Sequence, residues 1–418
     1  MDPPPYESVL QDHGTNNFFA PATVSKEFEI EVTDPVKQGD GVAAYVSYKV
    51  RTKTTHPSYA APFNEVIRRF RDFAWLHDKL VEKNKGLIVP PLPEKSAVQK
   101  YQMSTDFIDQ RRRALQVFVN RVASHPVLKD SRELNTFLQA NEEAWMLEIA
   151  KWQAETSAQH RPVNAAAQWL KSLQHSAQSL VSGRAEEIQE DPEYIKIRDY
   201  VNSLEAHLNE AHRQAGRLLR KEADLGSALS EFATAAEALG KQDEVGPMRS
   251  AFGCLFIRAG EVATLSKARS EALVNEFAAP LKEAARTIKS VQAAMGDRAA
   301  ALTAYSQAKS DLDSKKVRLA KLRGTPGLKE DKIAETERDV NEADQRLRNA
   351  KLGYETIRDT MREELNRFQK ERASEMSALL RDFALAQAAY TAAQAKAWGE
   401  LLADLQNVPQ QAAAAEAS

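Results

Sequence analysis

From Ile197 onward, apolar residues return at alternating gaps of four and three: Ile197, Val201, Leu204, Leu208, Ala211, Ala215 and Leu218, continuing through Leu225, Leu229 and Phe232. A sustained 3.5-residue period keeps one stripe of a helix turned toward a partner, which commits this stretch to coiled-coil packing. Gly240 and Gly246-Pro247 are expected to break the first helix. A second helix is predicted from Pro247 to Arg323 and ends at Gly324-Thr325-Pro326-Gly327. A third runs from Leu328 to about Gln406, on a seam of Val340, Ala343, Leu347, Ala350, Tyr354, Ile357, Met361, Leu365 and Phe368, then Met376, Leu379, Phe383 and Tyr390. Helices this long extend on the order of 100 Å at 1.5 Å per residue. No single globular core has that length, so residues 192–406 are predicted to form an elongated antiparallel three-helix coiled coil. Pro280 removes a hydrogen bond inside the second helix and should bend it.

The chain has 418 residues, room for two or three domains, and few aromatics at 7%. Net charge is −2, so any attraction to an anionic partner has to come from local patches. One cysteine, Cys254, excludes an intramolecular disulfide and fits a reducing cytosol; flanked by Phe252, Leu255 and Phe256, it reads as a buried core thiol. No run of apolar residues is long enough to span a bilayer, and Asp2 followed by Pro3 to Pro5 is no signal peptide, so a soluble protein with peripheral membrane contact is expected. A phosphate-cradling loop, a paired zinc motif and a Gly-x-Ser-x-Gly elbow are missing, and His77, His125 and His175 have no spaced cysteine or carboxylate partner. No enzyme, metal or cofactor is expected. Nucleic-acid binding is unsupported, because aromatics do not interleave with the basic clusters.

Residues 1–23 lack periodicity and are expected to be disordered. Residues 24–145 then read as an α+β domain. Phe28 to Val32 alternates and turns at Asp34-Pro35 and Gly39-Asp40-Gly41; Ala44 to Thr52 and Phe63 to Phe70 give two more strands. This predicts a three-stranded antiparallel sheet with one face covered by helices. Trp75, Leu76 and Leu80 share one side of a short helix. Pro90-Pro91-Leu92-Pro93 forms a stiff extended loop that carries Lys95, and another helix starts at Ser104, with Leu115, Phe118 and Val122 as its apolar stripe.

Three blocks of this domain suit an anion: Arg68-Arg69-Phe70-Arg71-Asp72-Phe73, Pro90 to Lys95, and Phe107 to Arg113. Guanidinium forks match phosphate oxygens, and Arg111 lies near a helix N-terminus. Arg68, Arg71, Arg112 and Arg113 read as solvated charges or general membrane attraction.

In that order and spacing, the three blocks resemble a PX domain of the sorting nexin family, from about Phe28 to Glu143. Pro90 to Val98, Phe118-Val119-Asn120-Arg121 and His125-Pro126 are similar to the plant-type, Vps5-like branch. The resemblance implies that Arg69 clamps the 3-phosphate of phosphatidylinositol 3-phosphate and that Phe70, where many relatives have tyrosine, packs beneath the inositol. It gives Lys95 the 1-phosphate and Arg111 the 4- and 5-hydroxyls. The later helices, with Pro192-Glu193-Tyr194 and Ala279-Pro280-Leu281-Lys282, resemble a BAR domain, whose dimer is a curved membrane template; residues 407–418 are expected to be a disordered tail.

Between the two domains, residues 146–191 form a linker with an amphipathic helix at about 161–183, whose apolar face includes Trp169, Leu170, Leu173 and Leu180. That helix either inserts into a membrane or docks on a flanking domain. Lys315, Lys316, Arg318, Lys321, Arg323, Lys329 and Lys332 form a basic tip, and Arg213, Arg217, Arg220 and Lys221 are candidates for a concave surface. Both sets also fit solvated helix faces. The resemblance further implies a cytosolic protein peripheral on endosomes, a homodimer or a heterodimer with another sorting nexin, and a link to retromer. The alternative is a coiled-coil scaffold whose PX domain binds proteins; a remoter one is a lipid-modifying enzyme.

Overall fold

The computed structural model describes residues 27–39, 44–94, 104–158, 190–242, 247–324 and 330–416. Lys95, Lys329 and the linker residues Trp169, Leu170, Leu173 and Leu180 lie outside them, as do residues 1–23. The chain divides into two compact units, taken in turn.

The first is built on a meander of β1 (Phe28–Gln38), β2 (Tyr45–Thr54) and β3 (Phe63–Arg69), antiparallel in the order β1-β2-β3. Val32 pairs with Val50 and Val50 with Val66, so the apolar residues of all three strands share one face. Asp34-Pro35, expected as a turn, is instead an irregularity inside β1. The ladder breaks between Thr33 and Val36 and resumes at Val36 opposite Ser47, with Asp34 in the left-handed region at φ 47°. A bulge absorbs the proline that a regular ladder cannot use.

Helices α1 (Phe70–Lys83), α2 (Thr105–Ser124), α3 (Arg132–Gln139) and α4 (Glu142–Ala158) follow. Phe28, Ile30, Val32, Tyr48 and Val50 from the sheet are buried, as are Phe73, Leu115, Phe118, Val119 and Phe137 from the helices. Phe73 meets Phe137 edge-on at 4.9 Å. Ser104 caps α2, its side chain accepting from the Phe107 N–H. The open edge of β1 is met by side chains of α2. Val32 N–H donates to Gln116 Oε1 (3.0 Å), Asn120 Nδ2 donates to Ile30 O (2.7 Å), and Arg112 Nη1 donates to Val32 O (3.0 Å). Edge groups that would otherwise be open to another strand are thereby occupied.

The second unit holds α5 (Pro192–Gln242), α6 (Pro247–Leu273), α7 (Ala279–Arg323) and α8 (Glu330–Glu416). Between α6 and α7, Val274–Ala278 makes a π turn. Pro280 lies in the first turn of α7, where no N–H is needed, and the wider turn before it accommodates the donor it lacks. Cross-helix partners show the packing to be antiparallel. Ser270 Oγ donates to Leu219 O, His212 Nδ1 bonds Ala278 O, and Gln292 Nε2 donates to Glu205 Oε2. Arg258, Ser266 and Arg323 meet Glu400, Tyr390 and Glu337 in the same reversed order.

Three expectations are corrected here. Gly240 does not break α5. It is buried within the helix, and a Cβ there would come within 2.8 Å of Phe252 Cβ, so glycine makes room for a close crossing. The last helix runs ten residues past Gln406, to Glu416, through Ala412 to Ala415, which favour helix. Cys254 is half-buried rather than buried.

The seam of α5 also divides. Val201, Leu208 and Ala215 are buried as the period predicts, but Leu218, Leu225 and Phe232 are not: with Leu239 they are 44–55% exposed. Past Ala215 the inward line is Gly226, Ala233, Ala236 and Gly240. Small residues face the chain's own helices, and large ones, seven apart, face outward.

Candidate functional site

Strand β3 places its residues alternately on the two faces of the sheet, and this separates two adjacent arginines. Val66 and Arg68 point to the covered face; Ile67 and Arg69 do not. Arg68, expected as a solvated charge, is 2% exposed. Its Nε donates to Phe137 O (3.0 Å), Nη2 to Ala140 O (2.7 Å) and Nη1 to Ile67 O (2.9 Å), and its guanidinium lies over the Trp145 ring at 4.2 Å. It thus caps the carbonyl end of α3, where a cation complements the helix dipole. Burial pushes its pKa down to about 10, which leaves it charged at neutral pH. The strand's period was the signal: extending the alternation one step past Val66 turns Arg68 inward. Arg68→Leu leaves these carbonyls without their donors and should lower stability by about 3 kcal/mol or more. Denaturant unfolding of the full chain checks this; Arg71→Ala, at a half-exposed side chain, should leave the midpoint unchanged.

Arg69 closes β3, and Phe70 opens α1. The reversal is held by buried Asp72, whose Oδ2 accepts from the Arg69 backbone N–H at 2.8 Å. A carboxylate three residues into a helix that reaches back to the capping N–H is half of a capping box. Its Oδ1 is 3.9 Å from Arg69 Nε and 3.8 Å from Arg71 Nε, beyond hydrogen-bond range. The Arg69 guanidinium lies over the Tyr45 ring at 5.2 Å. Beside it opens a cavity of about 810 Å³ bordered by Tyr45, Ile67, Arg69, Arg71, Trp145 and Met146.

Arg111 comes to the same end of the sheet from the second turn of α2. Its guanidinium lies 4.7 Å from the centre of the Phe70 ring and 4.3 Å from that of Phe107, and Nη2 donates to Glu94 O at 3.2 Å. That bond joins Arg111 to the residue preceding Lys95. Burial pushes the Arg111 pKa below the usual guanidinium range, with the Tyr48 hydroxyl acting in the opposite sense, and burial pushes the Tyr48 phenol up. Arg112, expected as a solvated charge, is engaged instead: Nη2 and Nε donate to Asp109 Oδ1 at 2.8 and 3.0 Å, and Nη1 reaches Val32 O. Arg113 pairs with Asp109 at 2.8 Å. The hydrogen bond from Arg112 holds the Asp109 carboxyl below its ordinary range.

The structure therefore brings Arg111 onto the ring of Phe70, the residue that follows Arg69 in the chain. Each of the two guanidinium groups rests on an aromatic ring, Arg69 on Tyr45 and Arg111 on Phe70 and Phe107. Tyr45 carries no role in the sequence reading, and Phe107 enters it only as the first residue of the Phe107–Arg113 block.

In the second unit, Lys316, Arg318, Lys321, Arg323 and Lys332 are exposed near the α7–α8 connection, while Lys315 is half-buried. Lys315 pairs with Asp311 (3.3 Å) and Arg323 with Glu337 (2.6 Å). On α5, Arg213 pairs with Glu210 (2.5 Å), which pulls that carboxyl down to about 2 through the Arg213 hydrogen bond; Arg217 Nη1 donates to Gln214 Oε1 and Lys221 lies 3.6 Å from Asp224. Among the described residues, no helix is long and apolar enough to cross a membrane, and no three His, Cys, Asp or Glu side chains are grouped to hold a metal.

Two family models match the sequence: "PX domain" over residues 61–141 and "Vps5 C terminal like" over residues 168–403. Sorting nexin 1 of Arabidopsis thaliana is 37% identical over 378 residues, covering 90% of this chain and 92% of that protein. Sorting nexin-2 of Homo sapiens is 27% identical over 365 residues, covering 85% and 67%. The cryo-EM structure of the SNX-BAR Mvp1 tetramer aligns with a TM-score of 0.60 at 16% identity over 89% of this chain and 99% of that one, a likeness of fold.

Proposed function

Because this chain belongs to the sorting nexin family, with a PX domain followed by Vps5-type BAR helices, we propose that it binds phosphatidylinositol 3-phosphate on endosomes and senses or imposes curvature there as a dimer. The family is one of membrane-associated sorting adaptors rather than enzymes. The observation that supports the reading is the contact of Arg111 with Phe70, directly after Arg69 at the turn from β3 into α1. Arg69 is the ligand for the 3-phosphate, Arg111 for the ring hydroxyls, and Lys95 for the 1-phosphate. Domain limits of 24–145 and 192–406, and a helix at about 161–183 that either inserts into the membrane through Trp169 or docks on a flanking domain, belong to the same reading.

Dimerisation is supported by the apolar stripe of α5. Leu218, Leu225, Phe232 and Leu239 are too regularly spaced and too exposed to be explained within one chain. Met248 and Ile257 on α6, and Leu402 and Leu405 on α8, are also exposed. The partner is a second copy or another sorting nexin. In a dimer each membrane contact is doubled, and tethering raises avidity without new chemistry. Retromer-linked sorting of cargo completes the proposal.

The test is vesicle co-sedimentation across headgroups and diameters. Binding is expected to require the 3-phosphate and to favour one range of diameters. Equal binding to all headgroups would instead favour the scaffold whose PX domain binds proteins. Each exposed lysine or arginine near an anionic leaflet adds roughly 1 kcal/mol. Lys316→Glu with Lys321→Glu should therefore weaken binding to anionic vesicles, with the loss shrinking as salt is raised; a salt-independent loss would count against a role for the tip.

A further inference from the structure

We propose that Tyr45 and Phe107 are positioning residues, whose rings hold Arg69 and Arg111 in place before a ligand arrives. The proposal rests on the phosphoinositide reading above and adds to it two residues of no assigned role.

A free arginine side chain samples many rotamers, and ordering it on binding weakens affinity. Structural arginines of this unit avoid that by hydrogen bonding, as Arg68 does to three carbonyls and Arg112 to Asp109 and Val32 O. The site arginines differ. Arg69 lies 3.9 Å from Asp72 Oδ1, too far for a hydrogen bond, and that oxygen is equally near Arg71. Among the described residues, Arg111 makes one hydrogen bond, to Glu94 O. A tight carboxylate partner would hold either guanidinium, but would also occupy the N–H groups that a phosphate or hydroxyl must use. An aromatic face holds a guanidinium through its π quadrupole and leaves the in-plane N–H donors open.

The geometry has that form. Tyr45, at the start of β2, lies against Arg69 at 5.2 Å, and Arg111 lies between Phe107 at 4.3 Å and Phe70 at 4.7 Å. Phe107 comes from the first turn of the same helix as Arg111, four residues earlier, where side chains of one helix face meet. Tyr45 is 38% exposed and Phe107 half-buried, so neither serves mainly as core.

The experiment titrates the full-length protein with a short-chain, water-soluble phosphatidylinositol 3-phosphate by calorimetry. Tyr45→Leu and Phe107→Leu are each expected to weaken binding about three- to tenfold. Tyr45→Phe and Phe107→Tyr keep the ring and should bind like the parent. Pentafluorophenylalanine at position 107 keeps the shape and reverses the quadrupole, so it should weaken binding as leucine does. A purely packing role predicts no change, and this substitution serves if a leucine variant fails to fold. Phe107→Leu added to Arg111→Leu should cost nothing further. Parent-like affinity in the fluorinated protein, with Arg69→Ala impaired, would overturn the positioning role and leave the site intact. Parent-like affinity in Arg69→Ala would overturn the site itself.

Discussion

Arg69→Ala will weaken binding to vesicles carrying phosphatidylinositol 3-phosphate by at least about tenfold, because a charge-assisted hydrogen bond contributes roughly 1.5–3 kcal/mol. The unfolding midpoint will stay where it is. These outcomes separate because Arg69 enters the fold through its backbone: its N–H donates to Asp72, and alanine keeps that N–H. Its side chain is 32% exposed and makes only long contacts with Asp72. The neighbouring Arg68→Leu has the opposite profile, losing stability through the α3 carbonyls. In a dimer the loss at Arg69 occurs twice, so the vesicle assay should exaggerate what a soluble headgroup reports. Vesicles with and without the 3-phosphate provide the measurement. An Arg69→Ala protein that still tells them apart would remove the assigned ligand and require another cation to read the phosphate.

Adjacent arginines with opposite fates show what a sequence conveys and where it stops. The period of a strand says that Arg68 and Arg69 point apart, but naming the inward one requires knowing which face is covered. Val66, buried two residues before Arg68, supplies that phase. Phe70 and Arg111 were legible because each stands in a charged block; their approach across 41 positions was implied by the family resemblance alone, since no periodicity carries it and only the return of α2 to the sheet creates it. The contacts of Tyr45 and Phe107 were not legible, since an aromatic on a half-exposed face has the same pattern whether or not a guanidinium rests on it. The helical half was more transparent. Its breaks at Gly246-Pro247 and after Gly324 coincide with helix ends, and Pro280 with the π turn. What periodicity could not say is that the seam divides between an inward line and an outward one. A heptad counts apolar positions without asking their size, so Ala233 and Phe232 carry equal weight although one faces inward and the other outward.

Leu225→Glu combined with Phe232→Glu is therefore expected to convert the protein to a monomer. Light scattering during size-exclusion chromatography at micromolar concentration measures this directly. Within one chain the two side chains are already 45% and 53% exposed, so the charges cost the helix little, and circular dichroism should not change. Across a two-fold interface each substitution acts twice, since the same patch is presented by both copies. Four large apolar side chains lose burial worth about 1.5 kcal/mol or more apiece, together roughly 6 kcal/mol, or about ten-thousandfold in the dissociation constant. Glutamate adds the cost of an unpaired buried charge to that figure. Glutamate at Leu352, 65% exposed in the first half of α8 and off the stripe, is the matched control and should leave assembly unchanged. The monomer should retain headgroup selectivity for the soluble lipid while losing most of its hold on vesicles, because one weak contact then has to act without its tethered twin. A double variant that stays dimeric would mean that the outward leucines and phenylalanine meet something other than a second chain.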